Sequence, residues 1–540
     1  MTLKPPHEAA AALWRAIPQK YKILFCAALA IALLTHLFML VSKLPNHDDL
    51  YEFSLRAVHN LSIGRPGRNL IWPLGGQWST PYIRGMMAVF LLSASSCLVV
   101  AILKIKNQLC ALLTVAVMIT SPVVASMFSF MFMAEAFQFA LFLSCLAVFF
   151  VRNYGRAGRA AGIVLLAASI SIYQAYFFFA ASLFMMLFIC DLLEDKEGFV
   201  LRNSAFGAAQ TLIGGFALYL LVLRILPCFT GVSLASYQNV NALGGTEMFW
   251  NIITQAPKSI GVIYKNFILD TFTKPLGAGT ALVRFSRFGI LILSLLMSII
   301  TALRCETGKN VARPALLLLS FAAVPLFFAG IYALGSLSAG KTHTYMHVVM
   351  TYTGVLAWVF ALKLCSLFSQ LPQPRKLARF AASVMLWTFT CFFIVLIHNN
   401  YIYSNELYFK MYLGYEKAYA FSVGLVSRIA ERADDGKAHP LALVGNLKEA
   451  IDDTRIASTP FRMMTAAFDG PEFVGNNMYH IFLRDYLGAT QVSRLVSRGE
   501  MLQLQRLSAV REMPTYPARG SVMLLDNIIV VKMGKIIGER

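Results

Sequence analysis

Long apolar stretches recur from residue 22 to residue 398, and they constrain the fold more than any other feature. A helix that crosses a bilayer needs about 20 mostly apolar residues. Only 14% of the residues are charged, whereas soluble domains contain about a quarter. The sequence therefore predicts a polytopic α-helical membrane protein. It has about eleven candidate spans, roughly at 22–42, 84–103, 109–128, 132–151, 160–173, 176–193, 205–226, 286–303, 314–334, 345–363 and 380–398.

Three of these segments leave alternatives open. The pair on either side of IYQAY, at residues 172–176, fits two short spans or one long kinked span. The first segment follows basic residues, as the apolar core of a signal peptide does, but no A-x-A cleavage signal precedes Pro45. We therefore interpret it as a retained first span.

The basic residues predict how the chain is oriented. A formal net charge of +20 would suggest nucleic-acid binding in a soluble domain. Here Lys and Arg instead cluster at alternate ends of the spans, which is typical of cytoplasmic loops and of contacts with anionic lipid. We therefore expect no nucleic-acid partner. The positive-inside rule predicts a cytoplasmic N-terminus, with loops 43–83 and 227–285 and the tail after residue 398 on the other side.

The tail at residues 399–540 differs from the apolar part and predicts a compact α/β domain. Its pattern indicates a helix from Asn405 to Ala433 and a buried strand in PLALVGN. Amphipathic helices are expected in NMYHIFLRDYLG and EMLQLQRLSAV, where apolar residues recur three and four apart. VMLLDNIIVV predicts a hairpin around its Asp-Asn pair. Residues 1–398 would then form the membrane domain.

Two adjacent carboxylates, Asp48 and Asp49, follow the first span in the stretch LPNHDDLYEF. Apolar residues after Pro45 recur with helical spacing, which predicts a short amphipathic helix with Asn46 as its N-cap. One reading is that the aspartates only stabilise the start of that helix. In the other, one carboxylate points into a cleft at the membrane boundary and does chemistry. Both readings stay open, because successive helical side chains diverge by about 100°. His47 precedes the pair without an assigned role.

Glu135 is the only carboxylic acid between Gly85 and Phe188, and it stands at the start of the fourth span. An ionisable group beside a membrane segment is costly and is a functional candidate by default; a merely interfacial Glu is the alternative. If the first and fourth spans pack together, Glu135 and the aspartate pair would share one cleft.

Several other polar residues are candidates for binding an anionic substrate. Arg65 and Arg68 have the planar guanidinium that grips phosphate, or they meet lipid headgroups. Tyr173 and Gln174 offer hydrogen bonds at the same level, or they belong to an aromatic belt. Lys341 could meet a phosphate, with His343 beside it.

No metal or other cofactor is expected. His343 and His347 have the spacing of a helical metal pair, but a third ligand is missing nearby. The nine cysteines lie in or beside apolar segments without a CxxC pair, so they predict neither a disulfide framework nor a thiolate site. His36, inside the first span, is expected to be a buried histidine with satisfied hydrogen bonds.

These motifs together resemble a known family. N-x-DD after the first span, GRP at the end of the loop helix, an acidic residue opening span four, IYQAY, and the tail motifs NELYFKMYLGYEKA, PLALVGN and SVMLLDNIIVVKMG resemble the serotype-converting O-antigen glucosyltransferases of bacteria. These Gtr-type enzymes are GT-C membrane glycosyltransferases. The resemblance extends over nearly the full length, although each motif is short.

The resemblance implies an inner-membrane transferase with a periplasmic C-terminal domain. Its donor would be an undecaprenyl-phosphate-linked hexose, usually glucose, and its acceptor a lipid-linked O-antigen. Asp48 or Asp49 would be the general base, with Glu135 assisting. Many GT-C enzymes present an arginine before span ten where this chain has Lys341 and two histidines, so the family pattern does not assign the donor-phosphate site here. A transferase acting on lipid A, protein or wall polymer, and a lipid or sugar transporter, are the alternative functions.

Overall fold

The computed structural model describes residues 5–44, 48–50, 56–76, 78–194, 198–235, 250, 254, 264–265, 280–304, 312–328, 352–372, 375–433, 435–451 and 473–536. The helices of the apolar part are α1 (Pro6–Ala16), α2 (Gln19–Val41), α3 (Arg56–Ser62), α4 (Arg68–Ile71), α5 (Pro81–Ile102), α6 (Gln108–Thr120), α7 (Pro122–Phe128), α8 (Met131–Asn153), α9 (Gly155–Ile172), α10 (Tyr176–Leu193), α11 (Gly198–Thr230), α12 (Ala281–Arg304), α13 (Ala312–Phe328), α14 (Val355–Phe368) and α15 (Lys376–Ala430).

The helices confirm a polytopic membrane protein. Among the described residues, eight helices are long and apolar enough to cross a bilayer, or nine if the bent pair α6 and α7 is one span. Each of the segments expected from the sequence contains a helix, but α13 and α14 hold shorter apolar stretches. A count of about eleven spans therefore stays a prediction. At IYQAY the chain forms two helices, α9 and α10, rather than one kinked helix.

The break between α6 and α7 explains how the buried His36 side chain finds a hydrogen-bond partner. Pro122 begins α7, and the two helices differ in direction by 42°. The break leaves carbonyl groups at the end of α6 without helical partners. His36 Nε2 bonds to the carbonyl of Ile119 at 3.0 Å, while its Nδ1 bonds to the Tyr408 hydroxyl at 2.7 Å. Tyr352 donates to the neighbouring carbonyl of Met118 at 3.0 Å. His36 is thus a buried histidine with both ring nitrogens satisfied, as expected.

Helix α8 lies at the centre of the bundle and packs against α5, α9 and α10. At its C-terminal end, Arg152 forms two 2.6 Å hydrogen bonds to the Asp191 carboxylate of α10. Lys363 of α14 pairs with Glu194 beside them at 3.1 Å. These ion pairs fasten one end of the bundle, and the candidate site lies at the other end of α8.

Helix α15 joins the membrane part to the C-terminal domain. It is 55 residues long, or about 80 Å at 1.5 Å per residue, and so extends far beyond a hydrocarbon core of about 30 Å. Its residues up to Met411 pack in the membrane core, for example Phe389 and Leu407, and its last turns pack in a second core through Leu425 and Ile429. The span expected at 380–398 and the helix expected at 405–433 are therefore one helix.

The C-terminal domain contains a four-stranded sheet in the order β2-β1-β4-β3. Both neighbours of β1 run parallel to it, and β3 and β4 form an antiparallel hairpin. Asp526 and Asn527 turn the hairpin with φ of 47° and 62°, as a two-residue hairpin turn requires. The strands are β1 (His439–Val444), β2 (Val492–Leu495), β3 (Val522–Leu525) and β4 (Ile528–Lys532).

Short helices complete this domain: α16 (Leu447–Ala450), α17 (Tyr479–Ile481) with the π-turn Phe482–Tyr486, α18 (Arg498–Leu504) and α19 (Ser508–Arg511). The predicted strand in PLALVGN, the helical NMYHIFLRDYLG segment and the DN hairpin are confirmed. The EMLQLQRLSAV segment forms two short helices, α18 and α19, instead of one.

Candidate functional site

The aspartate pair lies in a short 3-10 turn, Asp48 to Leu50, shortly after α2. This differs from the expected first turn of an α-helix, and the described part of α3 begins only at Arg56. Pro45, Asn46 and His47 lie outside the described residues, so the expected N-cap and the role of His47 are not described.

Asp49 is buried and joins two other segments. Its Oδ1 accepts a 2.8 Å hydrogen bond from the Ser79 hydroxyl and a 3.3 Å bond from the backbone N–H of Phe132. Phe132 is in the first turn of α8, where helical N–H groups lack partners and where negative charge is favoured. The N-cap residue of α8, Phe130, makes no side-chain cap bond of its own. Asp49 therefore stabilises the start of a helix, which was one of the two interpretations, but this helix is α8 and not the loop helix.

Asp48 differs from Asp49 in its exposure. Asp49 is 1% exposed, whereas Asp48 is of intermediate exposure. The two carboxylates are neighbours in one turn, but only one of them is sealed inside the protein. Asp48 is the more accessible of the two carboxylates.

Glu135 lies one turn further along α8 and forms a buried ion pair with Arg84 of α5. Both side chains are at most 1% exposed. Helix α5 packs against both α2 and α8. Glu135 is therefore near the aspartate turn, as expected, because α5 and the loop before it connect the two. The second carboxylate oxygen, Oε2, is buried without a hydrogen-bond partner in the part of the chain that is described.

Arg84 also holds the loop that contacts Asp49. Its Nε donates to the Trp78 carbonyl at 2.9 Å, and its Nη2 donates to the Gly76 carbonyl at 2.7 Å. The guanidinium stacks over the Trp72 ring at 4.4 Å. Asp49, Ser79, Arg84 and Glu135 thus form one connected arrangement that closes through the first turn of α8.

Arg84 is a site residue that was not predicted from the sequence. It is the only charged residue in PYIRGMMAVF, at the start of the second span, and this isolation among apolar residues could have marked it as a candidate. Ser79 was missed as well, and nothing in its local sequence marks it. Because a buried charge is strongly destabilised without a partner, the lone Glu135 implied a cation nearby.

Arg65, Tyr173 and Gln174 form a second cluster at the same end of the bundle. The Arg65 Nε donates to Gln174 Oε1 at 3.3 Å, and its guanidinium lies 4.4 Å from the centre of the Tyr173 ring. Gln174 donates to the carbonyl of Gly64 at 3.1 Å. Tyr173 is 2% exposed, so it is a buried residue rather than part of a lipid-facing belt. The loop with Arg65 is therefore fastened to the junction of α9 and α10.

Arg68 is buried and lies between the two clusters. Its Nη1 donates to Asn60 Oδ1 at 2.8 Å. The guanidinium lies 5.2 Å from the Trp72 ring centre and 5.0 Å from that of Phe132, and its charge attracts the Glu135 carboxylate. The alternative that it meets lipid headgroups at the surface does not fit this burial.

The aspartate turn also contacts the C-terminal domain. Leu50 is fully buried, and its side chain belongs to the core formed by residues such as Leu425 and Phe482. Nearby, Lys43 Nζ lies 4.4 Å from the centre of the Tyr486 ring, in cation–π range. Desolvation of this amine lowers its pKa. The domain thus holds the segment that carries the carboxylates.

Some expected site residues are not described. Lys341, His343 and His347 lie outside the residues that the structure describes, so the phosphate contacts predicted for Lys341 and His343 stay predictions. Among the described side chains, no group of three or more His, Cys, Asp or Glu residues could hold a metal ion.

The chain matches a known family. The sequence model of the family described as glucosyl transferase GtrII matches residues 37–358, which are more than half of the chain and include both clusters. No curated protein and no solved structure matches it significantly. The chain therefore belongs to the GtrII family: it is a membrane glycosyltransferase, a glucosyltransferase of O-antigen modification.

Proposed function

We propose that this GtrII-family enzyme transfers glucose from undecaprenyl-phosphate-linked glucose to a lipid-linked O-antigen at the periplasmic face, with Asp48 as the general base. One observation carries the choice of residue: Asp48 is partly accessible beside Asp49, which is buried and tied to Ser79 and to α8. A base must come within hydrogen-bond reach of the hydroxyl whose proton it takes. An anchored neighbour fixes the position of such a base.

The transfer step uses few groups. The acceptor hydroxyl oxygen attacks C1 of the glucose while Asp48 takes the hydroxyl proton. The bond between C1 and the lipid-phosphate oxygen breaks, and its electron pair leaves with the phosphate. Asp48 acts as a base and not as a nucleophile in this scheme, so a single displacement inverts the configuration at C1.

Arg65 is proposed to stabilise the departing phosphate. Its guanidinium is held by Tyr173 and Gln174, and a preoriented cation stabilises the charge that develops on a leaving group. Lys341 and His343 are proposed as additional phosphate contacts. Arg68 is proposed to reinforce the positive potential from within the protein.

Glu135 is proposed to accept a hydrogen bond from the sugar. Arg84 neutralises one oxygen of its carboxylate, and the other is buried and has no donor among the described residues. A glucose hydroxyl can provide that donor once the donor substrate binds. The C-terminal domain is proposed to shape the path of the acceptor, because Leu50 links it to the aspartate turn.

The test is a transfer assay with membranes that contain the enzyme or lack it. Labelled glucose is supplied as undecaprenyl-phosphate-glucose and, separately, as a nucleotide sugar, with purified lipid-linked O-antigen as acceptor. The proposal expects enzyme-dependent label in the O-antigen from the lipid donor only, with inverted configuration at C1. Direct transfer from the nucleotide sugar, transfer to another acceptor, or retained configuration would each contradict part of it.

A further inference from the structure

Arg287 is an arginine buried between transmembrane helices at some distance in sequence from the residues discussed above. It is the seventh residue of α12 and is 5% exposed. Helix α12 packs against α15 and α14. At 1.5 Å per residue, Arg287 lies about 10 Å from the start of α12, a helix about 36 Å long. Such a helix exceeds a hydrocarbon core of about 30 Å by only a few ångström at each end, so the long Arg287 side chain can extend from inside the core toward the headgroups.

No counter-charge meets this guanidinium in the described part of the chain. Its Nε is buried without a hydrogen-bond partner, and none of the ion pairs among the described residues includes Arg287. An unpaired charge in a low-dielectric interior is strongly unfavourable. Arginines in membrane segments are therefore rare and mark functional positions by default.

The polar groups described near Arg287 carry no negative charge. Tyr403 of α15 lies within electrostatic reach of Arg287. One turn earlier on α15, the side-chain amide nitrogen of Asn399 is buried without a partner among the described residues. One turn before Arg287, Arg284 is exposed. Among the described residues, Arg287 and Asn399 thus each have a buried donor without an acceptor, and Arg284 adds a second positive charge one turn away; an anion would provide the acceptor.

The outer surface of the seam is apolar. Leu282 and Phe285 of α12 are 57% and 64% exposed, and Ile394 of α15 is 54% exposed. In a bilayer such side chains contact lipid tails. A ligand that matches both features has an anionic head for Arg287 and a hydrocarbon chain that lies along α12 and α15.

We propose that Arg287 binds the phosphate group of a membrane lipid at the seam between α12 and α15, with Arg284 and Asn399 as further donors. A phosphate offers several acceptor oxygens and pairs with the guanidinium in a two-pronged geometry. The lipid is either a polyprenyl phosphate or an anionic phospholipid, since both present a phosphate at this depth. The inference does not depend on the glucosyl-transfer scheme, because it is tested by binding and not by turnover.

The test measures the thermal midpoint of the full-length protein in detergent, with and without added lipid. Undecaprenyl phosphate is one lipid and phosphatidylglycerol the other. A ligand that binds the folded state raises the midpoint. We expect Arg287→Gln to weaken lipid binding about tenfold or more, as the loss of a charged hydrogen bond does. Arg224→Gln, which removes an exposed arginine of α11, should leave lipid binding unchanged.

The lipid-free proteins provide the second readout. Without lipid, Arg287→Gln should have a thermal midpoint at least as high as that of the wild type, because the substitution removes an uncompensated buried charge. If Arg287 had a purely structural role, the substitution would lower this midpoint. Stabilisation by undecaprenyl phosphate alone assigns the site to a polyprenyl lipid, stabilisation by phosphatidylglycerol alone assigns it to phospholipid, and equal stabilisation shows that the site recognises the shared phosphate. If Arg287→Gln cannot be purified, lipid retention by the wild type and Arg287→Lys is compared by native mass spectrometry. Lipid binding that is the same with and without the Arg287 guanidinium would overturn the proposal.

Discussion

The carboxylate of Asp49 accepts a hydrogen bond from the backbone N–H of Phe132, 83 residues away in the sequence. This bond places the turn with the two aspartates on the N-terminus of α8, one helical turn before Glu135. The same oxygen accepts from Ser79, and Ser79 lies in the loop that Arg84 holds. The position of the aspartate turn therefore depends on the start of α8 and on the ion pair between Arg84 and Glu135.

Substitution of Asp49 by asparagine should be tolerated, whereas substitution by alanine should not. Asparagine keeps an acceptor oxygen for Ser79 and Phe132, so Asp49→Asn should keep the turn in place and retain transfer within about tenfold. Asp49→Ala loses the cap of α8, which costs about 0.5–2 kcal/mol of stability. Transfer rates and thermal midpoints of the two variants check this. Equal and complete inactivation of both at wild-type stability would show that Asp49 itself does the chemistry.

The ion pair between Arg84 and Glu135 should show strong coupling. Removing one partner of a buried pair leaves an uncompensated charge and costs about 3–5 kcal/mol. We expect Arg84→Gln and Glu135→Gln each to lower the thermal midpoint strongly, and the double variant to cost less than the sum of the two. A double-mutant cycle on purified protein measures this coupling. Additive losses would mean that the two side chains do not form the pair described here.

Leu50 should connect the C-terminal domain to catalysis. Replacing a buried leucine by alanine costs about 2–5 kcal/mol. Leu50→Ala should therefore loosen the contact between the aspartate turn and the domain, lower the transfer rate and expose the domain to protease. Val58→Ala, at a side chain 54% exposed in the same loop, is the control and should be near wild type. If Leu50→Ala keeps wild-type transfer and protease resistance, the contact between the C-terminal domain and the aspartate turn does not contribute to catalysis.

Gly67 should be required for the loop that carries Arg65. Its N–H donates to the Ser171 carbonyl at 3.1 Å. A Cβ at this position would overlap the Ser171 hydroxyl oxygen and come within 3.1 Å of the Ser171 carbonyl carbon. Gly67→Ala should push the loop away from α9 and raise the KM for the lipid donor.

Gly207 offers the matched control, because a Cβ there meets its nearest neighbour, Arg159 Cδ, at an ordinary 3.4 Å. Gly207→Ala should leave the KM unchanged. If Gly67→Ala and Gly207→Ala have the same kinetics, the docked position of the loop has no part in binding the donor.

Local features of this fold could be predicted from the sequence. The hairpin at Asp526 and Asn527 depends on two residues that adopt positive φ, and these residue types tolerate it. The continuity of α15 could also have been inferred. The residues between the apolar run and the tail helix, NNYIYS, contain neither glycine nor proline, so nothing there ends a helix.

Contacts between distant segments could not be predicted in the same way. The sequence marks Asp49 and Glu135 as unusual, but the partner of Asp49 is a backbone N–H, which every residue except proline possesses. Leu50 is one of the apolar residues after Pro45 whose helical spacing predicts an amphipathic helix, yet it lies in the core of a domain that begins hundreds of residues later. Such contacts depend on how helices pack, and one sequence without related sequences does not contain that information.

Transfer by Asp48→Asn is the measurement that tests the proposed mechanism most directly. Asparagine cannot take a proton from the acceptor, and loss of a general base costs about 10²–10⁴-fold. Membranes with equal amounts of wild type, Asp48→Asn and Asp49→Asn are supplied with labelled undecaprenyl-phosphate-glucose and lipid-linked O-antigen. The proposal predicts that Asp48→Asn folds and binds the donor but loses transfer by that factor, while Asp49→Asn retains it. Transfer by Asp48→Asn at the wild-type rate would contradict the assignment of Asp48 as the base.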